Sequence, residues 1–385
     1  MYPTRTQRQV LGEWFDATRW TYNKATEWIE GRGEGAKVRI KDVRDYCVNT
    51  ESLDKEHFVK GTPYDVRDEG ARDAVKAFFS NMAKVKKNVL RGDNGCHFTL
   101  GFRSKKAPQE ALVIHSKHWN HTRGVFADLF GKSWCKMKSA EPLPSTLLYD
   151  SRLIRTRLGE FYLCVPSPLE PRGENQAPDP SLPRMVALDP GVRTFQTTYS
   201  VDGQITEWGH GDSARIGRLE HAYDSLQKRM RCTSTVHRRR YRMKLASLRI
   251  KRKIRRIVDD LHCKLAKWLC SNFHVVLVPK FETSRMVQKD SQGRRRLARK
   301  TSRMMNTWAH YRFRARLLDK AREFPWCKVI VTSEEYTSKT CGVCGHVKTD
   351  LGGNKDFVCA KCGFHSDRDH NGARNVMLRY LTLGK

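Results

Sequence analysis

Apolar residues return at helical intervals over the first thirty positions: Val10, Leu11, Trp14, Phe15, Ala17, Trp20, Tyr22, Ala25 and Ile29. Thr4 and Gln7 precede them at capping-box spacing, so the pattern predicts a long amphipathic helix closed by the glycine-rich piece 31–35. A second stripe, Val66, Ala71, Ala74, Val75, Phe78, Phe79, Met82, Val85 and Val89, predicts another helix over about 63–90. From 96 to 168 the texture turns to short β-prone runs at 97–102, 111–115 and 146–149. Two further runs, 153–157 and 161–165, flank Leu158-Gly159-Glu160 as a hairpin. The stretch 169–183, rich in Pro, Gly and acid, reads as a linker. Beyond it the strand-like runs 185–188, 194–200, 274–278 and 328–331 alternate with helical tracts over 213–273 and 294–320.

Composition narrows the class. The 385-residue chain carries 73 Lys and Arg against 41 Asp and Glu, a formal charge of +32. A surplus of that size is a long-range field whose natural partner is polyphosphate. Between Lys228 and Arg256 there are 14 Lys or Arg and no acid, a run that would repel itself without a counter-charge. Arg238, Arg239, Arg240, Arg252, Lys253, Arg294 and Arg295 are therefore candidate nucleic-acid contacts. No apolar run approaches a membrane span and the N-terminus lacks the apolar core of a signal peptide, so neither a membrane nor a secreted protein is expected.

Of twelve cysteines, eight are scattered and are expected to be reduced core thiols. The other four form two CxxC knuckles, Cys341/Cys344 and Cys359/Cys362, each followed by a glycine. Four soft thiolates select zinc in a closed, structural site. Two acidic positions have a different character. Asp189 ends an apolar strand in Leu188-Asp-Pro-Gly191, and Asp367 and Asp369 open a helix in Asp-Arg-Asp-His-Asn-Gly-Ala. A strand-end acid and a helix-start acid are how a fold gathers carboxylates around divalent metals, although each alone is a common structural residue.

The order of these parts resembles the RuvC-like nuclease of the TnpB superfamily: strand-Asp-Pro-Gly, basic helices, strand, Tyr336-Thr-Ser-Lys-Thr-Cys341, four-Cys ribbon, then Asp-x-Asn-Gly-Ala. Tyr2-Pro-Thr4, Tyr22-Asn23, Phe102-Arg-Ser-Lys-Lys106, Pro279-Lys-Phe281 and Glu334-Glu-Tyr-Thr-Ser-Lys339 are similar to Fanzor, its eukaryotic and viral branch. The resemblance implies an α/β multidomain protein. Its parts would be a helical recognition lobe (1–92), a β-barrel wedge domain (93–170), a linker (171–183), an RNase H-like core (184–340), a zinc ribbon (341–363) and a last core segment (364–385). It implies an RNA-guided DNA endonuclease, with a guide RNA and target double-stranded DNA as partners, one protein chain per ribonucleoprotein, and residence in the nucleus. Asp189 matches the first catalytic acid and Asp369 the third, with Asp367 as the alternative, around paired Mg²⁺ ions. The second acid departs from the pattern: Pro279 stands where relatives carry Glu, and Glu334, then Glu335, then Glu282 are the candidates to replace it. Lys339 and Arg368 are candidate phosphate contacts. Relatives also have a wedge-domain strand before Tyr-Pro-Thr, which this chain lacks or which precedes its recorded start. Two other readings remain open: a nuclease-dead RNA-guided DNA-binding protein, and a zinc-ribbon RNA-binding protein.

Overall fold

The computed structural model describes residues 1–32, 37–49, 57–90, 97–120, 122, 124, 126, 129, 136–171, 175, 184–232, 236–295, 297–333, 335–349 and 354–383. They fall into two units, 1–168 and 169–385.

In the first unit, α1 (Arg5–Glu30) begins at a reciprocal capping box. The Gln7 N–H donates to Thr4 Oγ1 and the Thr4 N–H to Gln7 Oε1. Its first half packs Leu11, Trp14 and Phe15 against Leu112, Ile114, Leu153 and Phe161. Those residues lie on a three-stranded antiparallel sheet, β1 (Gln109–Ile114), β2 (Ser151–Thr156) and β3 (Phe161–Cys164). The second half packs Tyr22, Ala25 and Ile29 against α2 (Ile40–Cys47) and α3 (Tyr64–Val89). One helix thus serves two cores, and the expected helical and β regions form a single unit joined through it. The hairpin expected at 153–165 is β2–β3, whereas 97–102 and 146–149 form no strand. The described residues give the expected barrel three strands and a Tyr2–Lys138 bridge.

The second unit is built on a five-stranded mixed sheet in the order β6–β5–β4–β7–β8. Its members are β4 (Met185–Pro190), β5 (Gln196–Ser200), β6 (Ile205–Trp208), β7 (Val275–Pro279) and β8 (Lys328–Thr332). The chain runs β4–β5–β6 as an antiparallel meander, then crosses to β7 and β8 parallel to β4. This is the RNase H-like core.

Strand alternation assigns the two faces. Val186, Leu188, Val276 and Val278 point into a core filled by the helices of the crossovers. These are α5 (His237–Asn272), α6 (Arg299–Trp308) and α7 (His310–Ala321), with α4 (Asp212–Arg231) laid against α5. Ala187 and Leu277 point the other way, under Val376 and Met377 of α8 (Arg368–Leu383). The single tract expected over 213–273 is two helices, one ending at Arg231 and the next starting at His237. The tract expected over 294–320 is also two helices, meeting at Ala309 in the left-handed conformation (φ 51°). Most of the linker 171–183 lies outside the described residues. No helix among the described residues is long and apolar enough to cross a membrane. The scattered cysteines are not uniformly core residues: Cys47, Cys270 and Cys327 are buried, but Cys164, Cys232 and Cys263 are exposed.

Candidate functional site

Asp189 is the last but one residue of β4 and, by alternation with Ala187, faces α8. Its carboxylate lies directly on the first turns of that helix. A Cβ placed on Gly372 would come within 2.7 Å of Asp189 Oδ2, closer than any side chain tolerates. The glycine of Asp-x-Asn-Gly-Ala is therefore a seat for the strand-borne acid. Three residues earlier on α8 stands Asp369, half-buried, and burial is the main reason its carboxyl is pushed above the usual range. The charge of Asp367 adds to the shift, while Arg193, Lys355 and Arg368 oppose it. A half-buried acid beside another acid, on the helix that touches a third, is a place where cation binding relieves the charge.

Asp367 has a separate task. Its Oδ1 accepts the Asp369 N–H at 2.8 Å, capping α8, and Lys355 Nζ lies 3.0 Å from Oδ2. Against the cost of burial, those two contacts hold its carboxyl below the usual range. Nearby is a residue the sequence pattern did not single out, Glu207 on β6. The register Asp189–Thr197–Glu207 sets it level with Asp189, on the same face of the sheet. Glu207 Oε1 lies 3.3 Å from His370 Nε2 and 3.9 Å from Lys355 Nζ. Glu207, Asp367 and His370 bring ligating atoms within 4.8 Å of one another, but the Lys355 ammonium already supplies a cation there. Arg193, just past the Asp-Pro-Gly turn, is the other participant missed; nothing in its spacing marks it as facing Asp369.

The remaining acids are spread out. Continuing the β4–β7 pairing by two residues puts Pro279 level with Asp189, and Pro279 is paired with Thr332 of β8. The edge position of the expected glutamate is thus occupied by a ring that cannot ligate. Glu282, three residues on, is held by Lys280 at 2.9 Å and Arg285 at 2.8 Å, and the hydrogen bond from Lys280 leads in lowering its carboxyl. Glu335 is paired with Arg379, whose guanidinium donates to its carbonyl and lies 3.4 Å from Oε2. Arg379 is ten residues after Asp369, roughly 15 Å along the helix, so the structure does not bring Glu335 beside Asp369. Glu334 lies outside the described residues.

The four cysteines converge. Cys341 Sγ lies 3.7 Å from Cys362 Sγ, and Cys344 Sγ 3.6 Å from Cys359 Sγ. Four sulfurs at about 2.3 Å from a tetrahedral centre would be spaced by about 3.8 Å, so the set fits a metal without rearrangement. Its β-hairpin, β9 (Asp356–Val358) and β10 (His365–Asp367), runs straight into α8. The first knuckle is gripped by α8 as well. Asn371 Nδ2 donates to the Thr340 carbonyl at 2.8 Å, and its Oδ1 accepts the Gly342 N–H at 3.0 Å. Asn375 Nδ2 donates to the carbonyls of Thr337 and Thr340 at 2.8 and 2.6 Å. With Arg379 on Glu335, three residues at i, i+4 and i+8 lay the segment 335–342 along one face of the helix.

The basic candidates sit mainly on α5. Arg238, Arg239 and Arg240 are exposed on its first turn, while Arg252 and Lys253 line an open cavity of about 680 Å³ with Arg215, Arg249, Arg256 and Lys264. Arg294 is tied to Asp290 within a short hairpin whose bridge pairs Lys289 with Arg295. Lys339 is exposed beside the first knuckle, and the Arg368 N–H donates to the Lys355 carbonyl.

Known proteins are similar to this chain. A family model described as "Cas12f1-like, TNB domain" matches residues 310–376, and one described as "Helix-turn-helix domain" matches residues 1–30. A "Putative transposase" of Paramecium bursaria Chlorella virus 1 is 28% identical over 99% of this chain and 85% of its own length. A "TnpB-like protein" of Acanthamoeba polyphaga mimivirus is 24% identical over 98% of this chain and 71% of its own. A "Putative RNA-guided DNA endonuclease" of Streptomyces pristinaespiralis is 24% identical over 98% and 87%. Among solved structures, the protein of a Cas12f1–sgRNA–target DNA complex superposes with a TM-score of 0.55 at 12% identity, covering 97% of this chain and 83% of that one. That likeness is one of fold.

Proposed function

The chain belongs to the TnpB superfamily, and from that premise we propose that it is an RNA-guided DNA endonuclease of the Fanzor branch. It would bind a guide RNA, read a short target-adjacent motif and hydrolyse target DNA in a Mg²⁺-dependent RuvC-like site. The observation that carries the reading is the Asp189 carboxylate resting on Gly372, one turn from the half-buried Asp369. Two acids from distant parts of the chain, one on a strand end and one on a helix start, are thereby brought to one place.

Asp189 and Asp369 would hold Mg²⁺, with Glu334 as the leading candidate for the third ligand, ahead of Glu335 and Glu282. When bound, paired divalent ions clamp the attacking and leaving oxygens of a phosphodiester and lower the pKa of water. This chain's own part is to hold the two carboxylates fixed. Burial raises the Asp369 carboxyl, so its readiness to bind a cation depends on the opposing charges of Arg193, Lys355 and Arg368. The Cys341/Cys344/Cys359/Cys362 set would hold structural zinc, keeping the ribbon rigid at the point where the chain enters α8. Arg252, Lys253 and their neighbours on α5 would take the phosphates of guide RNA and heteroduplex, read through A-form shape rather than sequence. The working particle would hold one protein chain and reside in the nucleus of a eukaryotic host.

The test is cleavage of a plasmid library with a randomised target-adjacent region, by protein co-expressed with RNA from its own locus, with Mg²⁺ or EDTA. Guide-directed, EDTA-sensitive cutting that disappears in Asp189→Ala and Asp369→Ala is expected. Pro279, level with Asp189 in the sheet, favours one rival: a targeting protein that binds without cutting. Guide-directed binding with no cutting under any metal would establish that rival instead.

A further inference from the structure

Four non-glycine residues among the described ones adopt left-handed backbone: Phe126, Phe281, Ala309 and Tyr336. That conformation is unfavourable for an L-residue, and three of the four show what offsets it. Phe126 is fully buried and packs edge-on against Trp14. The Phe281 ring lies against the His310 ring, 4.8 Å between centroids. Ala309 is the joint between α6 and α7. Tyr336 has φ 63° and a side chain 66% exposed, with no hydrogen bond or ring contact of its own among the described residues.

The backbone around it is held from every side. The Tyr336 carbonyl accepts the Lys339 and Thr340 N–H groups and the Thr340 hydroxyl. Arg379 holds the residue before it and Asn375 the residue after it. Glycine or asparagine would satisfy this turn at lower cost, so the ring is not there for the turn's sake. It is presented outward by a fixed backbone, one turn from the exposed ammonium of Lys339, between the end of β8 and the first knuckle. An exposed aromatic ring on a fixed backbone, three residues from an exposed lysine in a strongly basic protein, is suited to take a nucleobase and its phosphate.

We propose that Tyr336 is a stacking site for a base of single-stranded nucleic acid, with Lys339 taking the adjacent phosphate. This rests on the reading of the protein as a nucleic-acid enzyme. It is tested without cleavage, so the two can fail separately. The probe is a single-stranded oligothymidylate carrying one 5-iodouracil, bound by the full-length chain in EDTA at raised salt, where phosphate attraction is suppressed. Irradiation is expected to cross-link Tyr336, read by peptide mass. Affinity by anisotropy is expected to fall about 10-fold in Tyr336→Ala and Tyr336→Gly and to be kept in Tyr336→Phe. Tyr336→Gly also relieves the left-handed strain, so its melting temperature should be equal to or above that of the parent. A structural role for the ring would instead lower it, and that result overturns the proposal. Equal affinity in all three variants, with cross-links elsewhere, would also overturn it and assign the ring to a protein contact.

Discussion

The two sides of the core sheet's carboxyl edge are built to opposite standards. On the β4/α8 side, Asp189 is seated on Gly372, and Asn371 and Asn375 grip the backbone of 337–342. On the β7/β8 side, Pro279 fills the position level with Asp189, and a cavity of about 10 Å³ lies beside it, lined by Gln196, Phe281 and His310. Among the described residues, the buried Gln196 Oε1 and Thr332 Oγ1 have no hydrogen-bond partner there. One side holds its acid in place; the other offers no carboxylate. The contrast teaches that Asp189 is held in place where Pro279 offers no carboxylate, and on the proposed reading the costs of substitution should follow that division.

The sharpest way to break the comparison is to remove the acids. Asp189→Ala or Asp369→Ala should lower the cleavage rate about 10³-fold or more, since several kcal/mol of charge stabilisation go with a metal ligand. Glu334→Gln should match them if it is the third ligand, while Glu335→Gln and Glu282→Gln, each already paired with Arg or Lys, should stay near the parent. Equal losses in all five would erase the division. Next, Gly372→Ala forces the Asp189 carboxylate from its seat. A displacement near 1 Å should cost about 10²-fold in rate with little change in DNA affinity. If the rate is unchanged, the seat is not what positions the acid.

A smaller effect is expected from the grip itself. Asn375→Ala removes two hydrogen bonds to backbone carbonyls and should cost about 1–3 kcal/mol of stability, measured by urea unfolding. The added effect of a chelator on unfolding should then shrink, because one of the two asparagine links between ribbon and helix is lost. The mildest test addresses the other side. His262 and His310 stack on Phe195 and burial lowers each to about 3, so both are neutral in the folded protein. Because their folded values lie below the ordinary one, the stability they carry is full above pH 6.5 and is lost as pH falls toward 3. Each histidine should steepen the loss by about 1.4 kcal/mol per pH unit in that window, and His310→Phe should flatten the curve.

Much of the gripped side was legible in the chain. Asp189 follows an apolar run and precedes Pro-Gly, Asp369 opens a helix, and CxxC spacing places four thiolates whatever surrounds them. Such signals are local, and local geometry enforces them. What escaped was set by pairing between distant segments. Glu207 lies on β6, four residues with no strong alternation, and becomes notable only when register aligns it with Asp189. The Asn371, Asn375, Arg379 spacing is visible as i, i+4, i+8, but a polar stripe reads as a solvated face until a partner segment is seen lying on it. The division between 1–92 and 93–170 failed to anticipate a shared core because α1 carries one continuous stripe while facing two neighbours along its length.

The grip of α8 on the ribbon is addressed to main-chain atoms. Asn371 and Asn375 touch the carbonyls of Thr337 and Thr340 and the amide of Gly342, and no side chain of that segment. What the helix demands of its neighbour is a backbone shape and one residue without a Cβ, since a Cβ on Gly342 would press both asparagine oxygens at 3.0 Å. The join between helix and first knuckle therefore asks for a backbone shape more than for particular side chains on the ribbon. Grafting between relatives should succeed wherever that glycine and the two asparagines travel together.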